Sequence, residues 1–596
     1  EEYAQGVTTS ALHPSMVGWA ALIVVSILLV GTLGAMQRPV SDGADTTGQV
    51  TLSIVGTTDL HGRVFPRDGW GGLAQFGGYL RNLRAARMLD GGAVLLLDAG
   101  DTFESGIESN LSEGALVIDA YNALGYDALA IGNHEFDYGA LDTVSATEAP
   151  PDMRGALKVA AARARFPFLA ANLIDEATGH PVAWPNVRPS TLIDTASLRV
   201  GVVGVMTFHG LTMTLAANIQ GLATAPLAAT VEIEATRLRE RGADLVVVLA
   251  HAGGWCARFD DPTDLSSCDN DAEIFRLARQ LPVGLVDAIV AGHTHAAVAH
   301  EVAGIPIVQA YSRGTAFARL DLTVQQGTGV VSTRIFPPQA LCAAVGPEET
   351  CVTGDDAPAP HYEAAPVEPD TSVTAAMQPE LNRVARWREA PLGIVLETPL
   401  ARNQNGLESP LGNLFADALL SVVPGADVAI GLGARRGGLR ADLPAGVLTR
   451  GPLYDVFPFD NRVVTLSLTG AQLRQVLTDQ VARRRRGLPG VSGIRVRVAC
   501  EEDRPDLEIV RSSGVKIDPT ETLIVSTTDF FARRARFSSH LMPPETPLTS
   551  AALVRNAAAA WLTARGGRLR DDGLIDPPRW EPLDSGACLV ADRSDR

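Results

Sequence analysis

Five apolar runs of strand length divide the first half of the chain, and each stops at a residue that can do chemistry. Residues 50–58 alternate loosely between apolar and polar positions and end on Asp59-Leu60-His61-Gly62. Residues 93–97 end on Asp98-Ala99-Gly100-Asp101, and residues 128–131 lead into Gly132-Asn133-His134-Glu135-Phe136-Asp137-Tyr138-Gly139. Residues 245–250 stop at His251, and residues 288–291 stop at Gly292-His293-Thr294-His295. Short continuous apolar runs separated by helical stretches such as 72–89 read as strands of a parallel α/β sheet covered on both faces. Such sheets bind ligands outside the carboxyl ends of their strands. The chain has 11 histidines, and five of them (His61, His134, His251, His293 and His295) fall at these ends. Polar residues commonly end strands one at a time, but a scarce residue recurring in one domain is hard to attribute to chance.

Outside this block the pattern changes. Residues 17–36 are 20 consecutive uncharged residues, rich in Leu, Ile and Val, enough to cross a bilayer as a helix. No basic residue precedes them and the small-x-small cleavage pattern is poor, so an uncleaved single-span anchor is expected over a cleaved signal peptide. Residues 1–16 form a tail before it and polar residues 37–49 a tether. Residues 337–379 are rich in Pro, Ala, Glu and Asp and read as a linker between a domain at 50–336 and a second at 380–585, with 586–596 a final tail. A helix is expected over 377–389, and another from Thr469 to Gly487. The run Arg483-Arg484-Arg485-Arg486 closes that second helix, where basic residues complement the macrodipole.

A chain of 596 residues is too long for one core. Its net charge of −18 argues against nucleic acid as a partner, because a polyanion is repelled unless a local basic patch overrides the field. An anionic substrate then needs local positive charge, such as bound cations. Six cysteines fall as two close pairs, Cys256 with Cys268 and Cys342 with Cys351, and one distant pair, Cys500 with Cys588. No tight zinc spacing appears, so disulfides in an oxidising compartment are favoured over buried thiols. That compartment places the soluble part outside the cytoplasm, although Arg38 beside the apolar run favours the opposite orientation.

The cluster of imidazoles, carboxylates and one Asn suits two divalent ions such as zinc, manganese, cobalt or iron. Two ions about 3.5–4 Å apart can acidify a shared water and stabilise the entering and leaving oxygens at phosphorus. The series Asp59-x-His61, Gly100-Asp101, Gly132-Asn133-His134-Glu135, His251 and Gly292-His293-x-His295 resembles that of the calcineurin-like metallophosphoesterases. Its Gly132-Asn133-His134-Glu135-Phe136-Asp137 segment is similar to the 5′-nucleotidase branch, which includes bacterial UDP-sugar hydrolases. The likeness spans about residues 50–335 and, more loosely, about 380–580. It implies a four-layered α/β/β/α sandwich followed by an α/β substrate-binding domain. It also implies that Asp59, His61 and His295 hold one metal, Asn133, His251 and His293 the other, and that Asp101 bridges. His134, oriented by Asp137, would touch the phosphoryl oxygen. Glu135 has no derived role beyond holding the turn.

In the second domain, Gly412-Asn413-Leu414-Phe415-Ala416-Asp417, Gly437-Gly438-Leu439-Arg440 and Pro458-Phe459-Asp460-Asn461 match the same family. The resemblance assigns phosphate binding to Arg440, base stacking to Phe459 and Phe530, and a place beside the base to Asn461. Arg402 is the one candidate for an upstream phosphate-binding arginine. After Phe530 the family's Gly-Gly-Asp-Gly ribose-contacting segment is replaced by Ala532-Arg533-Arg534-Ala535-Arg536. Ribose recognition is therefore in question, and the added charge favours a more highly phosphorylated or non-nucleoside substrate.

The resulting expectation is a membrane-anchored, extracytoplasmic dimetal phosphohydrolase acting on nucleoside 5′-phosphates or related monoesters through a metal-bridging hydroxide. Two alternatives stay open: a cyclic-nucleotide or sugar-nucleotide phosphodiesterase of the same fold, and a non-catalytic subunit of a membrane complex that retains the fold.

Overall fold

The computed structural model describes residues 48–141, 152–346, 350–353, 357–402, 408–433, 438–459, 461–482, 488–501, 504–534 and 553–583. The expected membrane segment at 17–36, its tail and most of the tether, the arginine run 483–486, Ala535, Arg536, Cys588 and the tail 586–596 lie outside them. Among the described residues no helix is long and apolar enough to cross a membrane.

The first domain is two sheets packed face to face between two layers of helices. In the seven-stranded sheet, Gln49–Thr57 runs parallel to Ala93–Asp98, which runs parallel to Ala128–Ala130. Ala316–Gln325 pairs antiparallel on the other flank of Gln49–Thr57. In the six-stranded sheet, Leu198–Met206, Leu245–His251, Ala288–Ala291 and Ile305–Ala310 are parallel neighbours. Leu52, Ile54, Leu95 and Leu97 of the first sheet pack against Val200, Val202, Val247 and Val290 of the second as one core. Helices Leu73–Leu89 and Ala115–Leu124 cover the outer face of the first sheet through Phe76, Leu80, Val117 and Tyr121. Helices Leu227–Glu240 and Glu273–Gln280 cover the other through Val231, Leu238, Ile274 and Phe275. Runs such as 245–250 are apolar throughout because both of their faces are buried.

The segment 337–379 carries more structure than its composition predicts. Strand Gly329–Ala340 continues through Pro337 and Pro338 because it lies at the sheet edge, where a missing N–H costs no ladder bond. A helix begins at Thr371, six residues before the expected 377, with the Asp370 carboxylate accepting from Ser372 N–H. It runs through Pro379 to Glu389. Tertiary packing overrides the poor local propensity. Val373 and Met377 join the core under the first sheet, and Val384 packs with Ile107 and Tyr454. This helix therefore touches both domains.

The second domain is built around helix Pro410–Val422, whose Ser409 side chain accepts from Gly412 N–H with Pro410 in the first turn. One side packs on the three-stranded sheet containing Pro391–Leu396, and a neighbouring core lies beneath the sheet of Val463–Thr469, Thr522–Thr528, Val428–Ile430 and Val491–Ser492.

Cys256 is bonded to Cys268 and Cys342 to Cys351, as the close spacing anticipates, and no free cysteine remains among the described residues. The first bridge closes a loop anchored beside two strand ends: Cys256 N donates to Ala297 O at 3.0 Å, and Thr294 Oγ1 to Gly254 O at 2.7 Å. Closing a short loop of this kind stabilises a fold by about 2–3 kcal/mol. The Cys256→Ser/Cys268→Ser protein should therefore melt several degrees below wild type under non-reducing conditions, and the gap should close when both are reduced.

Candidate metal centre

All five strand ends meet at one edge of the sandwich. Five of the seven expected ligands hold left-handed backbone there: Asp59 at φ 51°, His61 at 49°, Asp101 at 56°, His293 at 77° and His295 at 56°. Non-glycine residues adopt this region only where the surroundings enforce it, at a cost of about 1–3 kcal/mol each. Two glycines permit the crowding. A Cβ on Gly132 would lie 2.3 Å from Asp101 Oδ1, and one on Gly100, itself at φ 92°, would lie 2.7 Å from Ala130 O.

Asp59, His61 and His295 form one group of converging ligand atoms. His61 Nε2 and His295 Nε2 face each other at 2.8 Å, and Asp59 Oδ1 lies 3.4 Å from His295 Nε2. Asp59 Oδ2 accepts from Thr58 Oγ1 and His293 N–H at 2.5 and 2.9 Å. Asp59 Oδ1 is buried and has no hydrogen-bond partner among the described residues. Asp101, His251 and His293 form the second group. His251 Nε2 lies 3.1 Å from Asp101 Oδ2, 3.1 Å from His293 Nδ1 and 3.3 Å from Asn133 Oδ1. Its Nδ1 lies 2.8 Å from Ala99 O; donation to that carbonyl fixes the tautomer that turns the Nε2 lone pair inward, as in metal-bound histidines. A carboxylate oxygen buried without a partner and imidazole nitrogens aimed at common points are the donor set a divalent cation requires. The residues fit such ions.

The Gly132–Gly139 turn sits over both groups. His134 Nδ1 is 2.5 Å from Asp137 Oδ2, while its Nε2 lies 3.9 Å from Asp101 Oδ2 and its ring centroid 4.9 Å from that of His61. Burial opposes a charge on His134, but Asp101 and the bond to Asp137 outweigh it and push the imidazole up to about 11. Burial brings His61 down to about 3. Glu135 turns inward, where its carboxylate accepts three backbone N–H groups: Asp101 at 3.0 Å, Thr102 at 2.6 Å and Gly132 at 2.7 Å. Burial and then the Asp101 charge push this carboxyl upward. Glu104, which no sequence motif marks, groups with His61 and His134, its Oε2 3.9 Å from His61 Nδ1.

In the second domain, Arg440 Cζ lies 4.9 Å over the ring of Phe459, and Arg402 Nη1 donates to Arg440 O. Arg555 Nη1 donates to Phe459 O at 3.1 Å. Asn461 Nδ2 donates to Asp529 Oδ1 at 2.9 Å, which also accepts Phe530 N–H at 2.7 Å. Arg402, Arg440 and Phe459 are thus drawn together, as are Asn461 and Phe530. Neither Arg555 nor Asp529 is apparent from sequence; Arg555 is an arginine at the start of an alanine-rich helix.

A four-layered sandwich with paired ligand groups at its strand ends defines a metal-dependent phosphoric ester hydrolase. Residues 52–297 match the family model for calcineurin-like phosphoesterase, and residues 389–536 that for the 5′-nucleotidase C-terminal domain. The chain thus carries a calcineurin-like phosphoesterase domain followed by a 5′-nucleotidase C-terminal domain. It is 25% identical over 507 residues to protein UshA of Yersinia enterocolitica, covering 81% of this chain and 85% of that protein. It is 24% identical over 499 residues to endonuclease YhcR of Bacillus subtilis, covering 81% of this chain but only 37% of that longer protein. Among solved structures, a 5′-nucleotidase precursor from Thermus thermophilus shares the fold at a TM-score of 0.53 and 23% identity, covering 90% of this chain and 99% of that one.

Proposed function

We propose that the protein releases phosphate from phosphomonoesters, with nucleoside 5′-phosphates as the substrate class. Two divalent cations would be held by Asp59, His61 and His295 on one side and by Asn133, His251 and His293 on the other, with Asp101 between them. The observation that carries this reading is the pair of converging ligand groups, one including the unpartnered buried Asp59 Oδ1. Such cations supply positive charge for an anionic ester and acidify water. The chain's own part is orientation. Asp137 holds His134 through Nδ1 and leaves Nε2 to meet a phosphoryl oxygen as charge builds on the leaving group. Arg440 and Arg402 would attract the ester's charge. Phe459 with Phe530 and Asn461 would receive the base once Arg440 moves off the ring. The disulfides support an extracytoplasmic site of action, with residues 17–36 as the anchor.

The test is phosphate release from nucleoside 5′-monophosphates, β-glycerol phosphate and phosphodiesters with added Mn²⁺, Co²⁺ or Zn²⁺. Monoester turnover should vanish with a chelator and return with metal. Absence of turnover on every ester would overturn the proposal, and diesters turned over faster than monoesters would reassign the enzyme as a phosphodiesterase.

A further inference from the structure

The metal groups and the Phe459 slot lie on different domains, so a nucleotide can be cut only if the slot is held in register with the His134 turn. Among the described residues a chain of polar contacts joins them. The Tyr138 hydroxyl, at the end of that turn, accepts Glu104 N–H at 2.9 Å, lies 2.9 Å from Ser109 Oγ and donates to Asn110 Oδ1 at 3.2 Å. With its one proton given to Asn110, it leaves Ser109 as the donor. Asn110 then donates Nδ2 to the Tyr454 hydroxyl at 2.7 Å, crossing from the first domain to the second. Arg555 Cζ lies 4.6 Å over the Tyr454 ring, and Arg555 donates to the carbonyl of Phe459 at 3.1 Å. Asn110, Tyr454 and Arg555 are 8, 2 and 6% exposed, so water does not substitute for these bonds. Around them pack Ile107 and Val384, with Leu111 and Trp387 at the margin.

Both ends of the Asn110 amide are used, one on each domain. A side chain needed only to fill the apolar cluster would carry no amide, because burying one is unfavourable unless both of its ends are paired. The contacts also give the amide a direction, from the turn that meets the phosphate toward the ring that would meet the base. We propose that Asn110, acting through Tyr454, is a positioning residue that couples the catalytic turn to the base slot and so sets the preference for nucleotides over base-free esters. This rests on the reading of the protein as a nucleotide phosphohydrolase.

Asn110→Ala, Tyr454→Phe and the double variant would be assayed with wild type on a nucleoside 5′-monophosphate and on β-glycerol phosphate, which has the phosphomonoester and no base. Each single variant should lower kcat/KM on the nucleotide about 10-fold or more and change β-glycerol phosphate less than twofold. The double variant should be no worse than the more impaired single one, because both cut the same connection. Equal losses on both substrates, or additive losses in the double variant, mean a structural role alone and overturn the coupling. So does an unchanged nucleotide preference in the variants of a wild type that has one. A wild type that turns over β-glycerol phosphate as fast as any nucleotide overturns the nucleotide reading itself, and the coupling with it.

Discussion

His134→Asn should lower kcat on every phosphate ester by about two to four orders of magnitude, with metal content and melting temperature close to wild type. Asparagine can still donate to Asp137 from near the position of Nδ1, and the backbone N–H of residue 134 keeps its 2.9 Å bond to Asp101 Oδ1. What is lost is Nε2, the one polar atom of this side chain that reaches toward Asp101 and the ligand groups. The His134 side chain is 30% exposed, against 0% for His251 and 2% for Asp101, so it faces the approach to the site and is not part of its floor. Kinetics on two unrelated esters, with metal analysis on the same preparation, would decide the matter. A loss confined to one ester, or a loss that follows missing metal, would remove His134 from the chemistry.

Glu135→Gln should act by another route, lowering activity by about 10- to 100-fold, because the change removes an acceptor where three donors converge. Gly132 N–H and Asp101 N–H both point to Oε2, and Thr102 N–H to Oε1. An amide presents its own N–H at one of these places, leaving a donor against a donor and at least one buried N–H unpaired, at about 1–3 kcal/mol per group. The two turns carrying Asp101 and Asn133 would then separate. Metal retention and thermal stability should fall along with activity, in contrast to His134→Asn. A Glu135→Gln protein that keeps its metal and its melting temperature would show that the carboxylate is not the tie between the turns.

The contrast between these two neighbours marks what the sequence can disclose. His134 and the expected ligands are legible because each ends an apolar run, and the sheet converts that regular placement into proximity. Glu135 stands in the same turn, yet its work depends on N–H groups 33 and 34 residues earlier, which no local pattern reports. Asn110 and Tyr454 are 344 residues apart and sit in segments without any motif. Pro379 and the acidic, proline-rich residues before it make the helix at Thr371–Glu389 look shorter in sequence than it is; burial of Val373 and Met377 against the first domain is what extends it. The disulfides are readable for the opposite reason, since their partners lie only 12 and 9 residues apart.

The left-handed backbone at Asp59, His61, Asp101, His293 and His295 is unfavourable in itself, so under the proposed metal-binding role heat resistance and turnover make opposite demands on this site. Glycine at His61 or His295 would relax the main chain and take an imidazole out of a crowded cluster in which the two rings face each other. In metal-free buffer such a variant would outlast its parent on heating while doing no work.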